Sequence, residues 1–199
     1  MSVVGELLFH RRDQVDLDAV LRHQAQEGVR QIVDGLPDAA FTKHTDDELT
    51  AQVVIKVRVA PLALDLDSAK PAVQETTVDV NSVFGERLRM RGLRATKAIP
   101  FTGDADLWHL RTNPYDFNPP YGEVRGKTIV VGMEVPEQQG DQAATHINDA
   151  IAKIQEWLKR QAAQITAFND SLPAHVLPQV QQRRARLDKA ADLLKKLQG

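Results

Sequence analysis

The 199 residues contain no cysteine, which removes disulfides, thiolate nucleophiles and cysteine-ligated zinc or iron–sulfur sites together. Charge of one sign is lacking too: a formal net charge of -2 argues against a nucleic-acid binder that uses its whole surface. No long apolar core follows basic residues in Met1–His10, and no stretch is apolar over the length of a membrane span. The expectation is a chain without a secretion signal or membrane contact, located in the cytoplasm. Glycine-rich runs between a strand and a helix are missing, although Gly122 and Gly126 flank Arg125 and Lys127, so a phosphate loop and a dinucleotide site are not expected. Ser2, Ser68, Ser82 and Ser171 lack the glycine flanks of a nucleophile elbow. His10, His23, His44, His146 and His175 share no motif, and no internal repeat or low-complexity segment is found.

What is present is ordinary for a globular protein, with 42% hydrophobic and 26% charged residues, enough to bury a sizeable core. The strongest pattern is C-terminal. Ile147, Ile151, Ile154, Leu158, Ile165, Phe168 and Leu172 recur at steps of three and four, with Gln161 out of pattern. After Pro173 the alternation resumes with Val176, Val180, Leu187, Ala190, Leu194 and Leu197, with Arg183 out of pattern. Two helices of about 40 Å and 33 Å, at ~1.5 Å per residue, are predicted to fold back as an antiparallel hairpin, because each alone leaves a stripe of hydrocarbon in water. In that register Leu172 meets Val176, Phe168 meets Val180, Ile165 meets Arg183, Gln161 meets Leu187, Leu158 meets Ala190, Ile154 meets Leu194 and Ile151 meets Leu197. Arg183 must then snorkel, meet an acid or mark an opening of the seam, whereas Gln161 reaches solvent.

Upstream, Asp13 to Val33 reads as a helix with Asp13 as its cap, stopped by Gly35 and Pro37. Thr45 and Glu48 form a capping box; beyond it Val53, Ile55, Val57 and Val59 alternate like a strand while Leu49, Val53 and Val57 share a helix face, and the reading favoured is a helix from Asp46 to about Lys56, ahead of extended chain before Pro61. Five strands are expected: Gln74–Val80, Arg87–Phe101 with a bulge or bend at Gly92, Leu107–Arg111, Tyr121–Arg125 and Thr128–Val135. The last two are joined through Gly126 and Lys127 as a tight hairpin. The predicted fold is therefore α+β: N-terminal helices and an antiparallel sheet of about five strands in a body over 1–136, then a helical hairpin over 137–199.

Five of the ten aromatics fall between Phe101 and Tyr121, beside Pro119 and Pro120. A stiff aromatic loop loses little entropy on binding, so Trp108, His109, Arg111, Tyr115, Asp116, Phe117, Tyr121 and Arg125 are candidates to contact a partner or ligand. The competing reading is that these aromatics fill the layer under the hairpin. Asp104, Asp106 and His109 are candidates for a metal-dependent hydrolase, at a spacing that matches no established ligand pattern. From Ala150 to Gly199 there are nine Lys or Arg against four Asp or Glu. Arg183, Arg184, Arg186 and Lys189 crowd together, as either a solvated face or a phosphate-binding stripe that Arg89, Arg91 and Arg94 would extend.

Four strings, IPFTGDADLW (Ile99–Trp108), NPPYGEVRG (Asn118–Gly126), ITAFNDSLP (Ile165–Pro173) and QQRRARLDK (Gln181–Lys189), are similar to those of a bacterial family of poorly characterised domains associated with defence or conflict loci. The resemblance spans the chain from about Leu36 onward and assigns no catalytic residue. It implies an accessory domain that often precedes another in a longer chain; ending at Gly199 implies a stand-alone partner subunit or one piece of such a chain. The sequence is best read as a non-enzymatic interaction or adaptor module without cofactor or metal, binding another subunit or itself. The alternatives are a nucleic-acid or nucleotide binder using the basic face, and the hydrolase.

Overall fold

Alternation in the middle of the chain and a 3.6-residue rhythm at its end become a sheet and a helix. The computed structural model describes residues 2–10, 16–81, 87–113 and 118–198. In chain order the elements are β1 (Ser2–Val3), β2 (Glu6–Leu7), α1 (Leu17–His23), α2 (Val29–Asp34), α3 (Asp38–Lys43), α4 (Asp46–Val57), β3 (Ala63–Leu64), β4 (Lys70–Asn81), β5 (Arg87–Thr102), β6 (Tyr121–Arg125), β7 (Thr128–Pro136) and α5 (Gly140–Gln198). A π-helical stretch, Gln24–Gly28, joins α1 to α2. The architecture is α+β with an antiparallel sheet, as its alternation predicts.

Among the described residues the sheet has seven strands rather than five, ordered β2-β6-β7-β5-β3, with β1 also on β7 and β4 also on β5. The additions are two-residue strands, too short for alternation to reveal. The segment expected as a strand at Leu107–Arg111 is instead a 3-10 turn over Ala105–His109. Asp104 accepts the Asp106 N–H at 3.1 Å and starts that turn. Leu107 and Trp108 are consecutive and both buried, which a half-buried strand does not allow. At Gly92 the register is unbroken, with Thr76 on one side and Pro136 on the other. The glycine is there for space rather than a bulge: a Cβ would lie 2.6 Å from the Val135 carbonyl oxygen and 2.7 Å from Val78. The hairpin turn at Gly126 and Lys127 forms as expected, with Gly126 at φ 58°.

The largest departure is at Pro173. The predicted hairpin is a single helix, with Pro173 and Pro178 inside it. An interior proline costs about 3 kcal/mol, whereas each fully buried Leu or Val returns about 1.5–3 kcal/mol. Running straight on keeps Leu172, Val176 and Val180 on one stripe, all at 0% exposure, so burial outweighs the two prolines. The seam needs no second half of itself because other helices cover it.

Compact units divide the chain along a line other than residue 136. One unit comprises Met1–Leu17 and Ala60–Ala162, the other Asp18–Val59 and Ala163–Gly199, so α5 contributes to both. In the first, Ile99, Ile129, Val131 and Val135 of the sheet are buried together with Ala143, Ile151, Ile154 and Trp157 of α5. Phe9 stacks on Trp157 at 5.2 Å and meets Trp108 at 5.4 Å, and Phe101 stands edge-on to Trp108 at 5.3 Å. Gln161, expected to reach solvent, is buried and donates to the Leu107 carbonyl at 2.8 Å, because its position on α5 looks into this layer.

In the second unit Ile165, Phe168, Leu172, Val176 and Val180 form a core with Leu21, Val29, Val33, Phe41, Leu49, Val53 and Val57. The expected cap at Asp13 lies outside the described residues, and Gly35 closes α2. The Thr45–Glu48 capping box opens α4 as predicted, with bonds of 2.9 and 3.2 Å. Asn169 grips the end of this helix: its amide donates to the Val59 carbonyl at 2.9 Å and accepts the Val59 N–H at 3.0 Å.

Candidate functional site

The aromatic segment after β5 was the first place expected to bind. Trp108 is fully buried among Phe9 and Phe101, so it serves the core. Arg111 lies 3.8 Å from Asp16, and its carbonyl accepts the Leu17 N–H at 2.9 Å, which ties the segment to the start of α1. Arg125 donates from two nitrogens to Glu123, both at 2.7 Å. This bidentate pair holds the Glu123 carboxyl below its ordinary value and raises that of Arg125. His109 borders a shallow depression with Gly5, Glu6, Glu123 and Val124. Tyr121 is exposed on β6, whereas Tyr115, Asp116 and Phe117 lie outside the described residues. The layer-filling alternative therefore accounts for Phe101 and Trp108, and the remaining described residues do not converge on a pocket.

The hydrolase set is not assembled. Asp104 is occupied as the cap of the 3-10 turn, and among the described residues no group of three His, Asp or Glu is placed to hold a metal. The arginines of the sheet are likewise matched by acids. Arg94 lies 3.3 Å from Glu134, Arg89 lies 3.5 Å from Asp79, and Arg91 borders a depression with Glu75 and Glu137.

On α5 the basic cluster has a structural role that spacing alone could not reveal. Arg183 donates to Asp38 at 2.8 Å, at the start of α3, so the guanidinium expected on the seam meets an acid. Arg184 donates to Asp46 at 2.6 Å, to the His44 carbonyl at 2.8 Å and to the Phe41 carbonyl, and lies over the Phe41 ring at 5.7 Å. It thus satisfies the carbonyls that end α3 while pairing with the acidic start of α4. Arg186 donates to Asp34 at 2.6 Å, at the end of α2. Three arginines in one helical turn therefore clamp the ends of three helices. Arg186 and Lys189 are both exposed, and of the four only Lys189 has no acid partner among the described residues. A phosphate stripe needs uncommitted cations, and this cluster offers one.

Beyond the clamp the seam continues without a cover. Leu187 is half-buried, but Leu194 and Leu197 are exposed by 56% and 76%. Ala190 and Ala191 are exposed on the same face. Between this face and α3 runs a groove of about 370 Å³, bordered by Phe41, Thr42, Leu187, Ala191 and Leu194.

No family model, curated protein or solved structure matches the chain.

The site must therefore be read from its own chemistry. Among the described residues no helix is long and apolar enough to cross a membrane, so the exposed leucines do not belong to a bilayer span. The features missed at first were Asp34, Asp38 and Asp46, whose link to Arg186, Arg183 and Arg184 crosses more than a hundred residues. The exposed end of the seam was legible as a stripe. What hid its meaning was the hairpin, which assigned every leucine on it a partner within the chain.

Proposed function

We propose that this chain is a non-enzymatic protein-interaction module whose docking surface is the end of α5 from Leu187 to Leu197. The observation that carries the reading is the seam that outlasts its cover. Leu172, Val176 and Val180 are fully buried, whereas Leu194 and Leu197, on the same stripe, face solvent. Exposed leucines at helical spacing are the ordinary anchors of helix-in-groove and coiled-coil recognition. Committed arginines, and the use of Asp104 as the cap of its own turn, favour this over phosphate binding or hydrolysis. The bacterial defence assembly implied by the sequence resemblance is the proposed setting.

The test uses tagged full-length protein and Leu194→Asp, a surface change whose effect on folding is within about 0.5 kcal/mol. Retention of a specific partner by the unchanged chain, weakened at least tenfold by the variant, is the expected result. A partner held equally by both would place the docking surface elsewhere and overturn the reading.

A further inference from the structure

The occupant of that docking surface can be named from its own side chains, on the reading just given. Around α5, at 3.6 residues per turn, Leu187, Ala191, Leu194 and Gln198 form the centre of the exposed stripe. Asp188 and Lys195 lie along one flank, and Ala190 and Leu197 along the other. In two parallel helices unlike flanks face each other, so Asp188 and Lys195 would sit against Ala190 and Leu197 of the second helix. In two antiparallel copies like flanks meet. The first flank then places Asp188 opposite Lys195 of the second copy, and Lys195 opposite its Asp188. The second flank places Ala190 opposite Leu197, and the centre places Ala191 opposite Leu194, small against large each way.

We infer that the end of α5 is an antiparallel self-association site, where a second copy of this chain pairs Asp188 with Lys195 and Ala191 with Leu194 across a two-fold axis. Such an isologous arrangement makes every contact twice. Lys195 has only a loose intrahelical contact at present, 4.0 Å from Asp192 with both side chains more than two-thirds exposed, so it is available. Asp188 has no ion partner among the described residues and borders the groove with Asp38, Phe41, Thr42 and Arg184, where a lysine stem of the second copy has room. About three helical turns from each copy make a small interface, so the dimer is weak.

Sedimentation velocity on the purified full chain, from low to several hundred micromolar, tests this. The unchanged protein is expected to shift from monomer to dimer across that range. Asp188→Lys and Lys195→Asp, each placing like charges opposite, should weaken the dimer about tenfold, and the double exchange should restore it to within about threefold. Leu194→Asp should leave a monomer, with circular dichroism confirming that each variant is folded. A monomer at every concentration, a dimer indifferent to Leu194→Asp, or a double exchange without rescue would each overturn the antiparallel pairing. A monomer whose Leu194→Asp variant still loses another protein would remove self-association while leaving the interaction reading intact. Loss of neither would remove both.

Discussion

The stretches of α5 before and after the arginine clamp carry the same sequence rhythm and meet opposite fates. From Ile165 to Val180 the stripe is core; from Leu187 to Leu197 it faces solvent. Composition separates them in charge: Asp170 is the only Asp, Glu, Lys or Arg from 165 to 180, whereas Asp188, Lys189, Asp192, Lys195 and Lys196 fall between Leu187 and Leu197. What also separates them is where α2 ends and α3 and α4 begin, and those termini are the places that Arg186, Arg183 and Arg184 hold. Periodicity says that a face will be buried; the extent of its neighbours decides whether this happens within the chain.

The comparison predicts a steep contrast in stability. Leu172→Ala should cost about 2–5 kcal/mol in denaturant unfolding, while Leu194→Ala should change it by less than about 0.5 kcal/mol. Equal losses at the two positions would break the distinction between core and docking surface. Next in size, Arg184→Met should cost about 1–3 kcal/mol, because it leaves the carbonyls of Phe41 and His44 and the Asp46 carboxylate without their donor. If thermal melting were unchanged, the clamp would not be what limits the covered part of the seam.

Asn169→Leu should cost about 1–2 kcal/mol through the two lost bonds to Val59, measurable as a lower melting temperature. Retained stability there would mean that the end of α4 is held by packing alone. A smaller loss, about 1 kcal/mol, is expected for Thr45→Ala at the cap of α4. Its partner Glu48 gives the mildest effect, one of pH. The Thr45 N–H bonds to the Glu48 carboxyl and lowers its pKa below the usual 4.5. Since the folded value is the depressed one, this stabilisation is present above about pH 4.5 and fades as pH falls through the folded value. Glu48→Gln should flatten that part of the acid-unfolding curve.

Local signals in the sequence carried far. The capping box at Thr45 and Glu48, strands β4, β5, β6 and β7, and the hairpin at Gly126 were each legible because they rest on neighbouring residues. Pro173 was misleading because a proline usually ends a helix, and nothing nearby tells that the stripe is buried on both sides of it, at Leu172 before and at Val176 and Val180 after. Trp108 looked like a binding residue because aromatic loops serve both cores and interfaces, and only the rings of Phe9 and Phe101 around it decide. The acids that neutralise Arg183, Arg184 and Arg186 come from distant helices, so the cluster read as a basic face.

Hydrogen exchange along α5, followed by mass spectrometry over a dilution series, tests the central claim most directly. Amides from 165 to 180 should be protected at every concentration, whereas those from 187 to 197 should exchange quickly in dilute solution and slow as the protein is concentrated. Equal protection of both stretches in dilute protein, or fast exchange after Leu187 that ignores concentration, would contradict the account.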